Sequence, residues 1–271
     1  MSSMKHTRLL LAASLLGTAS VASAQVIYST TGSTYTQNFN WTTGSTGTAV
    51  TWVDNAATQS HAGWVTGASS LGWYSGFTGT DTFNSTNGSS NSGGSVLSNF
   101  FFSSTDTDRS LGGRPTGGNG PIVLGLRLTN TTGVTLTSFT LSYALEITNQ
   151  RDAGVSATSN FAYLIGNPTN WVSDSFTGVS ALNATTPLVA VSTNVNGNIE
   201  GNRVSVSSTV SGITWASGTD IWLRWTVPSV TNAPNVGLDD VTFSAIPEPS
   251  AFAALAGLGA LGLAATRRRR R

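Results

Sequence analysis

The chain has 271 residues, no cysteine, 9% charged residues and a formal net charge of +1. The missing thiol excludes disulfide staples, thiol catalysis and cysteine-ligated metals. The charge balance is made by the two ends: Gln25 to Ile246 carries six arginines, no lysine and eleven acids, a net −5, which offers nucleic acid no electrostatic footprint.

At the start, Lys5 and Arg8 accompany an apolar run from Leu9 to Leu16, and Ala22-Ser23-Ala24 supplies a small-residue cleavage site before Gln25. These three features in that order mark residues 1–24 as a secretory signal peptide. A core helix would explain neither the basic start nor the small-residue end.

From Gln25 the chain is rich in Gly, Ser, Thr and Asn. Short β-favouring pieces (Val26–Thr30, Tyr35–Phe39, Ala49–Val53) alternate with polar turns. Trp41, Trp52, Trp64 and Trp73 follow among glycines without a true repeat. Thr78–Gly94 is Asn/Ser/Gly-rich and reads as a long surface loop, whereas Val96–Phe102, ending in three phenylalanines, reads as a buried strand.

The second half is more regular. Ile122, Leu124, Leu126 and Leu128 share one strand face. Leu136–Ile147 sets Phe139, Leu141, Tyr143 and Leu145 against Ser138, Ser142 and Glu146. With a turn at Asn130–Gly133, the two runs predict an antiparallel hairpin. Further strands are expected at Phe161–Ile165, Leu188–Val191, Arg203–Ser207, Ile221–Val227 and Val236–Phe243. No amphipathic helix intervenes. Residues 25–245 are therefore expected to form one all-β exported domain, an antiparallel β-sandwich of jelly-roll type.

Residues 246–271 change character. Pro247, Glu248 and Pro249 precede an apolar run from Ala251 to Thr266, and then come Arg267, Arg268, Arg269, Arg270 and Arg271. As a helix the run would span about 24 Å. That is short for a bilayer core of about 30 Å, a mismatch that local thinning accommodates. Beside an apolar run, the arginines act as a cytoplasmic anchor and keep everything upstream across the membrane.

This order of motif, short apolar helix and arginine cluster resembles the PEP-CTERM sorting signal of Gram-negative bacteria. The resemblance implies that exosortase is the processing partner, that Pro247, Glu248 and Pro249 are its signal, and that the apolar helix is removed. It also implies a membrane-anchored precursor and a product at the cell surface or in the extracellular matrix, in the company of extracellular polysaccharide. A second resemblance runs through Asp106–Gly112, GLRLTNTTG, TLTSFTLSYALEI, IWLRW and GLDDVTF, in the order of a recurring exported β-domain of bacterial surface proteins. It implies no activity.

Asp239-Asp240 resembles the acidic pair of jelly-roll carbohydrate-binding modules, which implies a structural Ca2+ held by one of them; the competing reading has one acid capping a turn and the other solvated. Asp106-Thr107-Asp108-Arg109 lacks the remaining ligands of a calcium loop and reads as local pairing, Asp108 with Arg109 or Asp106 with Arg114. Trp41, Trp64, Trp73 and Trp171 lie near polar or Gly-rich segments and are the candidate sugar-stacking residues, whereas Trp222 and Trp225 must face opposite sides of one strand. His61 is the only histidine past the signal peptide, so a histidine zinc cluster is excluded and a triad lacks its nucleophile elbow. Paired carboxylates, Glu146 with Asp152 or Asp174, leave a glycan-acting hydrolase as the alternative to a non-catalytic surface protein that binds polysaccharide.

Overall fold

The computed structural model describes residues 25–43, 50–57, 65, 69–76, 82–89 and 96–247. The expected signal peptide, Trp64, His61 and the tail from Glu248 onward lie outside the described residues. Fifteen strands and one 3₁₀ turn at Ser180–Leu182 make up the regular structure described. Among the described residues no helix is long and apolar enough to cross a membrane.

The strands are β1 (Val26–Tyr28), β2 (Thr34–Gln37), β3 (Val50–Thr51), β4 (Trp73–Ser75), β5 (Thr82–Thr86), β6 (Val96–Phe100), β7 (Ser110–Gly113) and β8 (Ile122–Asn130). They continue with β9 (Leu136–Asn149), β10 (Thr158–Ile165), β11 (Thr177–Gly178), β12 (Ala184–Thr185), β13 (Arg203–Trp215), β14 (Asp220–Val227) and β15 (Asn235–Ile246). The first sheet runs β1-β8-β14-β10-β11, with β4 on β8 and β12 on β10. The second runs β13-β9-β15-β7-β6-β5-β3, with β2 on β15. The result is an all-β sandwich of two sheets, as the alternating pattern predicts.

The sheets are mixed. β1 lies parallel to β8 and β5 parallel to β6, where a purely antiparallel sandwich was expected. The predicted hairpin does not form either: β8 pairs with β14, and β9 pairs with β13 and β15, so the turn at 131–135 carries the chain from one sheet to the other. The reason is burial. Both strands carry an apolar face too large for one sheet to cover, and placing them opposite each other buries both faces at once. Asn130 fixes this crossing, donating its Nδ2 to Val134 O at 2.9 Å and to Trp215 O at 2.8 Å.

Two further expectations change. Thr82–Thr86, assigned to a loop, is a strand because Phe83 and Ser85 point inward and are 1% exposed. Leu188–Val191, assigned to a strand, is irregular, with Leu188 60% exposed.

The core lies between the sheets and is centred on Trp225 of β14. Its ring stacks on Trp73 of β4 at 5.6 Å and meets Tyr143 of β9 edge-on at 5.9 Å and Phe161 of β10 at 5.5 Å. One indole thus joins three strands of the first sheet to the second, and burying a ring of this size contributes heavily to stability. Gly112 is required here because a Cβ would stand 1.9 Å from Val236 O on the paired strand.

Candidate functional site

Two surfaces carry chemistry, one on the outer face of each sheet. The first is acidic. In β15, Leu238 and Val241 both point into the core, so the two residues between them form a bulge, and the ladder to β9 shifts register between Asp239 and Thr242. At this point β15 also changes neighbour, from β7 at Leu238 to β2 at Val241. Asp240 takes a left-handed backbone, φ 51°, which aspartate tolerates better than most residues. A regular strand would point adjacent carboxylates to opposite faces; the bulge instead holds both off the core.

Asp239 is 0% exposed, and neither of its carboxylate oxygens has a hydrogen-bond partner. Its register partner is Ala144, two residues before Glu146, so Glu146 is its diagonal neighbour on the same face. Glu146 is 2% exposed and lines a small, water-sized hollow with Asp108, Ser110, Thr148 and residues 195–198. Gly197 closes over it so tightly that a Cβ there would meet Glu146 Oε2 at 2.8 Å.

Arg203 bridges the group. Its Nη1 stands 3.3 Å from Glu146 Oε1, and its Nη2 donates to Asp240 Oδ2. Burial pushes the Glu146 carboxyl up to about 7 against the pull of Arg203. Burial, and then the facing Glu146, push Asp239 up to about 9. Asp108 is raised by burial and by Asp240. A single guanidinium thus pairs with buried Glu146 and exposed Asp240, while buried Asp239 has no cation in contact with it among the described residues.

The pair does not fit the calcium expectation. Asp239 offers oxygens, but Asp240 is engaged by Arg203, and among the described residues no group of three or more His, Cys, Asp or Glu is arranged to hold a metal. Calcium takes six to eight oxygens. The second acidic cluster also differs from its expected pairing. Asp106 accepts Ser103 N–H and Oγ, Arg109 donates to Ser85 Oγ and to the Asp106 carbonyl, and Arg114 donates to Asn235 Oδ1. The acids proposed to face Glu146 lie elsewhere: Asp152 accepts Asn232 Nδ2, and Asp174 accepts the Asn170 N–H in the segment after β10.

The second surface is aromatic. Of the four candidate tryptophans, Trp41 is 3% exposed and Trp73 0%, both in the core: Trp41 packs against Phe39 and Trp52, and Trp73 stacks on Trp225. Trp171 alone among the described candidates is half-buried rather than buried. It stacks on Trp222 at 6.0 Å and 18°, and Tyr74 meets both rings, at 5.9 Å and 4.6 Å. Trp222 does face away from Trp225, as the strand period requires, but Trp171 covers it. Gly125 makes the space: a Cβ there would stand 2.8 Å from Trp171 Cζ3.

Arginines frame this shelf. Arg127, paired to Asp220 at 2.6 Å, lies 5.7 Å from the Trp222 ring centroid. Arg224 Nη1 donates to the carbonyls of Trp171, Val172 and Asp174 at 3.0, 2.9 and 3.1 Å, fixing the segment that carries Trp171. Arg224 was not singled out from the sequence; its signal was a charge in outward register on a buried strand.

The family model for the PEP-CTERM protein-sorting motif matches residues 245–270. This chain carries that motif, which directs an exported bacterial protein to a cell-surface or extracellular destination. No curated protein matches the sequence. Among solved structures, the CBM22-1 xylan-binding domain from Paenibacillus barcinonensis is 12% identical, with 80% of this chain and 97% of that chain covered at a TM-score of 0.35. A cleaved adhesin domain of Lys-gingipain from Porphyromonas gingivalis is 13% identical, with 79% and 99% covered at 0.35. The enzymatically active domain of tailspike protein 4 from bacteriophage CBA120 is 12% identical at 0.35, with 65% of this chain and 19% of that chain covered.

Proposed function

We propose that the protein is a non-catalytic surface or matrix component, anchored as a precursor by residues 251–266, processed by exosortase at Pro247-Glu248-Pro249, and binding polysaccharide on the Trp171 shelf. The observation that carries the binding role is the Trp171–Trp222 stack with Tyr74 beside it, because a half-buried indole held flat by a second ring presents part of its apolar face, on which a pyranose stacks. Burial of Glu146 and Asp239 supports the absence of catalysis, since a glycosidic oxygen must reach the acid that protonates it.

The test is a glycan array probed with the folded protein and with Trp171→Ala. Binding lost in the variant supports the reading; a blank array from folded protein overturns the binding role and leaves a purely structural one. One observation favours hydrolysis as a second reading: Glu146 lines a hollow, and its carboxyl lies near neutrality, as a general acid requires. Release of reducing ends from any glycan on that array, abolished by Glu146→Gln, would establish it.

A further inference from the structure

We infer that the end of the sandwich around Ile246 lies against the bilayer surface in the membrane-anchored precursor, with the acidic hollow turned away from it. The inference rests on the anchoring role proposed for residues 251–266 and goes beyond it by assigning the orientation and the contacting face.

The tether is short. β15 runs to Ile246 and is paired with β9 to its last residue, Ile246 to Ser138. Its end is fastened rather than frayed: Tyr28 Oη accepts the Ala245 N–H at 2.8 Å and lies 2.8 Å from Ser33 O, while Gly32 donates to Ala245 O at 2.9 Å. Pro247, which has no N–H, ends the ladder there. Four residues, 247–250, separate the sandwich from the apolar run. Fully extended, the five steps from Ile246 to Ala251 reach at most about 18 Å, so the end of β15 cannot move farther than that from the start of the apolar run.

The surface at this end suits such a neighbour. The segments tied to it are 29–33, 131–135 and 216–219, joined through Gly32 to Ala245, Asn130 to Val134, and Gly218 to Asn130. None of these segments contains an ionisable side chain. Three exposed aliphatic residues project here: Ile27 (52% exposed), Val134 (45%) and Ile246 (48%). A domain of net charge −5 approaches an anionic leaflet at least cost through an uncharged end. Glu146 lies eight residues along β9 from Ser138, about 26 Å up the strand, which places the acidic hollow on the distal part of the sandwich.

The chain has no cysteine, so single-cysteine variants of the full precursor report position directly. Val134→Cys and Ile199→Cys replace aliphatic residues of similar exposure, 45% and 53%, at the proximal end and in the segment beside the hollow. Each is labelled with an environment-sensitive fluorophore and reconstituted into phosphatidylcholine–phosphatidylglycerol vesicles containing spin-labelled lipid. The expected result is several-fold stronger quenching at position 134 than at 199. Precursor that floats with the vesicles but quenches equally at both positions, or more at 199, overturns the orientation alone. Precursor that fails to float overturns the anchoring role, and the orientation with it.

Discussion

Glu146 and Asp239 stand on one face of neighbouring strands, two residues out of register, and neither reaches solvent. Their shared neighbour Arg203 contacts Glu146 and Asp240 but leaves both Asp239 oxygens unpartnered. Two like charges in a low-dielectric site cannot both be held at ordinary pH, so the pair retains protons that the unfolded chain releases.

That retention sets a pH dependence. Both carboxyls titrate higher in the folded state, Glu146 at about 7 and Asp239 at about 9, than in an unfolded chain. Above the ordinary carboxylate range near pH 4, the folded state therefore binds more protons than the unfolded one, and stability falls with rising pH. The fall ends once both groups are ionised, above about pH 9. Thermal melts from pH 5 to 9 are expected to show Tm decreasing, with Asp239→Asn flattening the curve and exceeding the parent protein at pH 9. A parent Tm that is constant or rises over this range would contradict the buried pair.

Arg203 has the opposite role. Replacing it with methionine keeps the apolar stem and removes the only guanidinium near Glu146 described in this cluster. We expect Arg203→Met to cost about 1–2 kcal/mol at pH 8, where Glu146 is ionised, and less at pH 5, where it is protonated. Denaturant titrations at the two pH values measure the difference; equal costs would mean that packing alone is lost.

Calcium and EDTA are expected to leave the melting temperature unchanged at pH 7, because Arg203 already supplies the positive charge and Asp240 is turned toward it. A calcium-dependent rise of several degrees that disappears in Asp239→Asn would restore the metal site to this bulge.

The sandwich was legible because strand alternation is local: Leu124, Leu126 and Leu128, and Phe139, Leu141 and Tyr143, announce buried faces in their own spacing. What each strand pairs with is not local, so the β8–β9 link looked like a hairpin although it crosses between sheets. The tryptophans failed for a related reason. Neighbouring polar and Gly-rich segments suggested exposure for Trp41 and Trp73, but both rings are buried in the shared core, where Trp41 meets Phe39 and Trp73 stacks on Trp225. Asp239-Asp240 was visible as a pair, while the bulge that buries one acid and exposes the other depends on β15 passing from β7 to β2.

The core and the shelf should respond differently to loss of an indole. Trp225 is 2% exposed and contacts Trp73, Tyr143 and Phe161, so Trp225→Ala is expected to cost about 3–5 kcal/mol and reduce the yield of folded protein. Trp171→Ala, at the half-buried outer edge of its stack, is expected to cost about 1–2 kcal/mol. Urea unfolding of the two variants tests the ordering, and a reversal would place the organising ring on the outer face.

Gly125→Ala separates the position of Trp171 from its presence. A methyl group there would stand 2.8 Å from Trp171 Cζ3, too close for the ring to remain stacked on Trp222. The backbone that carries Trp171 should stay in place, since Arg224 holds three of its carbonyls. The ring must therefore swing outward about its own side-chain torsions, at a cost of about 1–3 kcal/mol from overpacking. We expect a change in near-ultraviolet circular dichroism from the broken indole pair, with the far-ultraviolet β signal retained. If the shelf binds sugar through the stacked geometry, Gly125→Ala should weaken binding about as much as Trp171→Ala. Full binding with an altered aromatic spectrum would show that the exposed indole acts without its support.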